Sequence, residues 1–424
     1  MAKPISQRSY EWMMQAVAVA LPFYLKKRAR DGKEDITRLA ERYGQGYAPL
    51  PPSEIRLWLH AVSVGEVTAA TALAQALASL MPTAHFIITT GTVTAATQLA
   101  EKAGDLPYTH YFIPFDHPRY VRRFYDHVKP DLGILLESDF WPILMTTAHQ
   151  RGIPLFMASA QMSEKSQAQW LARQTLAKAM FAPISACYCH DEAQARFFQS
   201  MGIDDIKVTG SLKLPDITSR KTKFAQEITA AASGRLTLLG ASTHDGEEAE
   251  LLAISAHLHA KDRDHLLLLA PRHPHRGEAV MRLVPDAKRR SKGEMVTPQD
   301  KVYLIDTLGE MPSLYQAADI VWLGGTFSGK GGHNPLEAAS YGKPIISGLS
   351  QFKNQFEFDE LTSRGVVTQL IDQRQTALHI AALYDDKAGR AKIAKTAKSY
   401  ATSARKRAAH VAKQIYQSWQ ERRS

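Results

Sequence analysis

From residue 55 onward, short apolar runs alternate with longer stretches that are apolar on one face only. Ile55 to Val62 reads as a buried strand, Glu66 to Leu80 as a helix, His85 to Thr89 as a strand and Val93 to Ala103 as a helix. Leu132 to Leu136 and Pro154 to Ala158 are further strands, and Ile184 to Cys189 is strand-like. The strands are continuously apolar rather than alternating, which predicts a parallel sheet covered by helices on both faces. The pattern then restarts with Leu236 to Leu239, Leu266 to Leu269, Val302 to Ile305, Ile320 to Leu323 and Pro344 to Ser347, each followed by Gly, polar or helical signals. The expected fold is therefore α/β, with two Rossmann-like domains facing a central cleft and Gly210 to Arg235 bridging them. In open parallel sheets ligands bind beyond the carboxyl ends of the strands, so the chemistry is expected in the loops that follow them.

The flanks read differently. Trp12 to Leu25 is apolar apart from Gln15, and Lys26-Lys27-Arg28-Ala29-Arg30 follows at once. The run is shorter than the roughly 20 residues that span a bilayer. Pro22 interrupts it, and the basic cluster stands where a signal peptide needs small residues. Two readings remain open: an interfacial helix held on an anionic cytoplasmic leaflet by its basic flank, or a core helix of the first domain. Asp35 to Tyr43 reads as helical, Tyr47 to Ser53 as a proline-bearing connection, and Lys387 to Arg423 as an Ala/Lys/Arg-rich helical end with a solvated charged face. The expected divisions are 1–30 (membrane-associating segment), 31–212 (acceptor domain), 213–400 (donor domain) and 401–424 (C-terminal helix).

Length and composition allow two proper cores: 424 residues, 45% hydrophobic and 22% charged. The net charge of +10 favours an anionic partner: nucleic acid, anionic lipid or a phosphorylated substrate. Cys187 and Cys189 are the only cysteines, and with His190 they are too few and too close for a zinc framework. Two apart on a strand, they point to one face and are expected to pack in a core.

Several clusters can carry chemistry. Gly331-Gly332-His333-Asn334-Pro335-Leu336-Glu337 follows an apolar strand and opens a helix, a setting in which glycines allow close backbone approach and a helix start offers N–H groups to an anion. Its Asn and Glu suit ribose hydroxyls or a base edge, which points to a nucleotide-activated donor, the plain alternative being an ordinary strand-to-helix turn. Trp58 to Glu66 is a strand running into Gly65 and a carboxylate, and Glu66 is either a base facing the cleft or a first-turn Glu stabilised by the helix dipole. Glu137-Ser138-Asp139-Phe140-Trp141-Pro142 follows another strand, as a site or as a helix cap. Lys213, near the domain junction, and Pro271-Arg272-His273-Pro274-His275-Arg276 supply cations that can neutralise a departing phosphate, or that merely face solvent. Gly240 to His244 and Asp306-Thr307-Leu308-Gly309-Glu310 are loops of the same half that can line a donor pocket or serve as plain turns. No acidic or Cys partner lies at ligand spacing from the histidines, so a metal is not expected there.

Together these clusters resemble the 3-deoxy-D-manno-octulosonic acid (Kdo) transferases of lipopolysaccharide assembly, glycosyltransferases of the GT-B fold. Glu41-Arg42-Tyr43-Gly44, His60 to Glu66, Glu137 to Pro142 and Met162 to Ser166 carry the resemblance in the first half. Ser242 to Glu248, Pro271 to His273 and Gly331 to Glu337 carry it in the second. The resemblance implies inverting transfer of Kdo from CMP-Kdo to a lipid A precursor (lipid IVA) at the cytoplasmic face of the inner membrane, without a metal or other cofactor and without nucleic acid. Glu66 matches the general base, and Glu137 and Lys213 match groups that stabilise the transition state. Pro271, Arg272, Leu308, Gly309, Glu310, Asn334, Pro335, Leu336 and Glu337 match the CMP-contacting segments. The chain departs from the family at Ser159-Ala160-Gln161, where Asn-Ala-Arg is common, and at Asp139, Ile143 and Ser211. Two alternatives stand beside this reading: another GT-B transferase or an epimerase using a different nucleotide sugar, and a basic nucleic-acid-binding protein. Against the last, the chain lacks the aromatic-basic interleaving of single-strand binders.

Overall fold

The computed structural model describes residues 6–213 and 222–422. Residues 1–5, 423–424 and 214–221, which fall in the expected N-terminal segment, C-terminal helix and bridge, lie outside the described residues. The chain forms two compact units, one of residues 1–214 with 405–424 and one of residues 215–404.

In the first unit seven parallel strands lie in the order β3-β2-β1-β4-β5-β6-β7. They are β1 (Ile55–His60), β2 (Ala84–Thr90), β3 (Tyr108–Phe112), β4 (Leu132–Leu136), β5 (Leu155–Ala160), β6 (Ile184–Cys189) and β7 (Ile206–Val208). In the second unit the order is β10-β11-β9-β8-β12-β13-β14. These strands are β8 (Leu236–Thr243), β9 (His265–Pro271), β10 (Lys288–Arg289), β11 (Val302–Leu304), β12 (Ile320–Leu323), β13 (Ile345–Ser347) and β14 (Val367–Gln369). In each sheet the chain builds one side of its first strand and then the other (in the second sheet β11 enters between β9 and the edge strand β10), so the order reverses between β1 and β4 and between β8 and β12. Such a reversal leaves a crevice at the carboxyl ends of the central strands. The strands without a clear apolar run (β3, β7, β10 and β14) are the edge strands, only part-buried, so their side chains need not be apolar on both faces.

The stretch expected as a helix at Asp35 to Tyr43 is a 3₁₀ helix, Ile36–Tyr43, stopped by Gly44 at φ 67°. Its Glu41 and Arg42 are buried braces. Glu41 accepts the N–H of Phe112 at 2.6 Å, while Arg42 pairs with Glu34 at 3.0 Å and donates to the carbonyls of Gly91 (2.7 Å) and Ile113 (2.9 Å). Part of the expected bridge is helical, Lys223–Ala232. At the far end, Lys387–Arg405 runs through residue 401 in the second unit, and a separate helix, Arg407–Glu421, returns to the first. There Val411, Ala412, Ile415 and Trp419 complete the apolar cluster formed by Leu57, Leu59, Leu73 and Leu77. Cys187 and Cys189 are fully buried with their sulfurs 3.5 Å apart.

Candidate active site

In the first unit the loops after β1 and β4, the two strands at the reversal, carry the candidate acids. Ser63 caps the helix Val64–Leu80, and Glu66 in its first turn folds back so that Oε2 accepts the Val62 N–H at 2.6 Å and Oε1 the Ser63 hydroxyl at 3.1 Å. This is a variant of the Ser-x-x-Glu cap in which the carboxylate takes the N–H of Val62, one residue before the capping Ser63. It fixes the carboxylate yet leaves lone pairs on both oxygens. Burial raises the Glu66 carboxyl above its ordinary range against the opposing Val62 N–H, and the negative charge of Glu137 adds to the rise.

Glu137 stands one residue past β4 with a left-handed backbone, φ 56°. One carboxylate oxygen meets Lys213 Nζ at 2.5 Å and the other accepts from Gln161 Nε2 at 2.8 Å. Lys213 is placed by Ser159, whose hydroxyl oxygen accepts the Leu212 N–H at 3.2 Å and whose own φ is 53°. Left-handed backbone at two non-glycine residues is a cost that gathers at functional sites. Gly65 completes the arrangement, because a Cβ there would sit 2.9 Å from Lys213 Cε. Asp139, the other acid of this loop, belongs to a different chain of contacts. It accepts from His60 Nε2 at 2.9 Å and from Trp141 Nε1 at 2.8 Å. The far nitrogen of His60 meets the Thr89 hydroxyl at 2.9 Å. A carboxylate only accepts, so His60 carries its proton on Nε2. Beside this site lies a mostly apolar cavity of about 240 Å³ lined by Leu25, Val62, Ile113, Phe115, Asp139 and Trp141 among others.

In the second unit, β9 ends at Pro271, and the Arg272 N–H donates to the Thr243 carbonyl at 2.9 Å. Among the described residues the Arg272 guanidinium has no ion-pair partner, and its charge opposes the burial that raises Glu337. Asn334 caps the short helix Pro335–Ser340 by accepting the Leu336 N–H at 2.9 Å, with Pro335 as the first helical residue. Leu336 is buried and Glu337 half-buried. Leu308, Gly309 and Glu310 follow β11, which β9 and β8 separate from β12. Leu308 is exposed, Gly309 turns the chain at φ 82°, and Glu310 is engaged by Arg290 at 2.8 Å. Arg272 and Glu337 are thus electrostatic neighbours, while Leu308 to Glu310 form a separate group.

The glycine turn is engaged within the protein. Gly331 donates to Ser350 Oγ at 3.0 Å and Gly332 to the Gly325 carbonyl at 3.0 Å. Any side chain at Gly331 would strike Phe352, 2.6 Å away. The N–H groups of Gly325, Phe327 and Ser328 all point at buried Glu247, at 2.9, 3.3 and 3.0 Å. The glycines allow tight packing, and the turn carries its own carboxylate. Sequence alone met Ser159 and Gln161 only as departures from the family pattern, and His244, Glu247 and His333 only as members of longer stretches, and gave none of them a role; in the structure the Nε2 atoms of His244 and His333 are 3.1 Å apart. The signal was faint: each is a polar residue in the stretch that follows a predicted strand. Among the described residues no three His, Cys, Asp or Glu side chains are grouped to hold a metal ion.

Residues 37–215, which include Glu66, Glu137 and Lys213, match the family model described as 3-deoxy-D-manno-octulosonic-acid transferase (kdotransferase). A 3-deoxy-D-manno-octulosonic acid transferase of Haemophilus influenzae is 33% identical over 340 residues, covering 76% of this chain and 77% of that one. The chain belongs to the Kdo transferase family. A Bordetella pertussis member is 33% identical over 385 residues, covering 87% of this chain and 89% of its own. The chain is therefore a glycosyltransferase. Its α/β, GT-B fold is shared with the UDP-GlcNAc 2-epimerase of Neisseria meningitidis, solved bound to UDP-GlcNAc, with a TM-score of 0.60, 14% identity and coverage of 87% of this chain and 100% of that one.

Proposed function

We propose that this Kdo transferase moves Kdo from CMP-Kdo to a lipid A precursor (lipid IVA) in lipopolysaccharide assembly, with inversion at the anomeric carbon. The acceptor hydroxyl oxygen attacks that carbon, the bond to the phosphate oxygen breaks, and CMP leaves as the anion. Glu66 takes the hydroxyl proton. Lys213, held by Glu137, offsets charge that develops in the transition state. Arg272 with Pro271, Asn334 to Glu337 and Leu308 to Glu310 take the cytidylate. A single displacement inverts configuration, and an anionic leaving group of this kind is served by Lys and Arg. The observation that carries the reading is the grouping of Glu66, Glu137 and Lys213 at the carboxyl ends of adjacent β1 and β4.

The acceptor is lipid, and the N-terminal helix Gln7–Arg30 supports its delivery. Only Met14, Leu21 and Leu25 of its residues are buried. Trp12 (73% exposed), Val19 (77%) and Phe23 (77%) share one helical face with Lys27 and Arg30. An apolar stripe running into cations suits the headgroup boundary of an anionic leaflet, which here is the cytoplasmic face of the inner membrane. No helix among the described residues is long and apolar enough to cross a membrane. The cavity lined by Val62, whose N–H holds Glu66, combines apolar surface with Arg28 and Arg42 and suits the acceptor side.

Incubation with CMP-Kdo and tetraacylated lipid A precursor, followed by product mass and anomeric configuration, tests the reading. Release of CMP with a Kdo-extended lipid is expected. Release of UDP from a UDP-sugar, with none of CMP, would move the chain to a different donor.

A further inference from the structure

The loops after β8, β9 and β12, three neighbouring strands, bring together His244, His273 and His333. The rings of His244 and His333 lie in near-parallel planes (5°) with Nε2 facing Nε2 at 3.1 Å. The bare backbone of Gly325 lies beneath both, since a Cβ there would be 3.4 Å from each ring. A hydrogen bond between two such nitrogens contains one proton, so one ring donates and the other accepts. In the neutral pair, the accepting ring carries its proton on Nδ1 and the donating ring has a bare Nδ1. One added proton gives both rings an Nδ1–H donor and the pair a positive charge. The backbone offers little competition for an anion here, because Gly325, Phe327 and Ser328 already donate to Glu247, and Lys330, Gly331 and Gly332 to other groups.

We propose that His244 and His333 act as one anion-binding unit that takes up a proton when the phosphate of the nucleotide donor binds. The proposal rests on the reading of the second unit as the nucleotide-binding one. The pair is set against cations from three loops: Arg272 and Arg276 come from the loop after β9, Lys330 from the loop after β12, and Lys353 from the loop after β13, with the His273 ring beside them. Glu247 is the opposing carboxylate at His244, and Asp245 is paired with Arg276. Burial and these cations hold both imidazoles below their ordinary range, His333 at about 4, so the pair is neutral near pH 7 without ligand. The phosphate's negative charge, single on the diester of the donor and double on free CMP above its second ionisation, reverses the local field and favours the charged pair. The sign follows: the bound state holds more protons than the free one, so binding tightens as pH falls and weakens by up to about tenfold per pH unit where the bound pair titrates.

The test is calorimetric titration of CMP into the full-length enzyme between about pH 6 and 8, in paired buffers of different ionisation enthalpy. The wild type is expected to take up more protons than His244→Gln or His333→Gln, with the excess approaching about one. Equal uptake by wild type and variants at every pH overturns the proposal. Should a variant fail to fold, cytidine serves instead at the upper end of the range, where free CMP is a dianion: uptake with CMP but not with cytidine supports the pair, and no difference overturns it. If CMP binds without this uptake, the pair fails and the donor reading stands. If UMP or inorganic phosphate binds with the uptake and CMP does not bind, the donor reading fails and the pair stands.

Discussion

The two units share a sheet plan and differ in what they place at the carboxyl ends of their central strands. The first collects carboxylates there: Glu66 after β1, and Glu137 and Asp139 after β4. The second collects cations and imidazoles: His244 after β8, Arg272 and His273 after β9, and His333 after β12. Each set is built to a different standard of rigidity. In the first, every acid is fixed by two or more named partners, as a group that must present a lone pair in one direction requires. In the second, the Arg272 guanidinium and the Glu337 carboxylate have no hydrogen bond among the described residues, leaving them available to a ligand. One scaffold thus yields a carboxylate-lined or a cation-lined set of strand ends according to the charge of its loops.

The largest effect expected from breaking this division is at Glu66. Glu66→Ala should lower transfer by about 10²–10⁴-fold or more while CMP binding, read by calorimetry, is retained. If turnover persists, the proton goes elsewhere. The same carboxyl sets a pH dependence: its raised folded value means it gains a proton as pH falls, so the rate should fall on the acid side at a higher pH than for an ordinary glutamate. A rate profile measured from acid to neutral pH checks this. Lys213→Met should cost about 10²–10³-fold in turnover and also lower thermal stability, because it strands the Glu137 carboxylate in a buried site. Arg272→Ala should act in the other unit alone, weakening CMP binding about tenfold to a hundredfold with little change in turnover at saturating donor. An unchanged affinity would remove Arg272 from the cradle. The mildest change is Trp12→Ser with Val19→Ser and Phe23→Ser, which spares the buried Met14, Leu21 and Leu25. It should move the enzyme from anionic vesicles to the supernatant in a sedimentation assay, with activity on detergent-dispersed acceptor preserved.

The strands at the sheet centres were legible because they are apolar on both faces: Leu132–Leu136 and Ile320–Leu323 appear with the expected bounds. The edge strands were not, since Tyr108–Phe112 and Ile206–Val208 have no need of a continuous apolar run. The placement of Glu66 and Glu137 beyond strand ends was also readable, whereas Lys213 was legible only as a cation near the domain junction. What sequence order cannot convey is which acid meets which base: Lys213 choosing Glu137 depends on the Ser159 turn, and Asp139 turning to His60 depends on Thr89 across the sheet. The glycine run was ambiguous for a related reason. Close approach is the same requirement whether the neighbour is a ligand or Phe352, and only coordinates distinguish the two.

The closing helix has a consequence for how the enzyme is made. Val411, Ala412, Ile415 and Trp419 pack in the same cluster as the buried face of the helix that begins with Glu66, yet the ribosome reaches them only after the whole second unit has emerged. Domains generally fold in order of synthesis. Here the first unit must wait with an open seam, so the half that holds Glu66 is sealed last, after its partner half has been made.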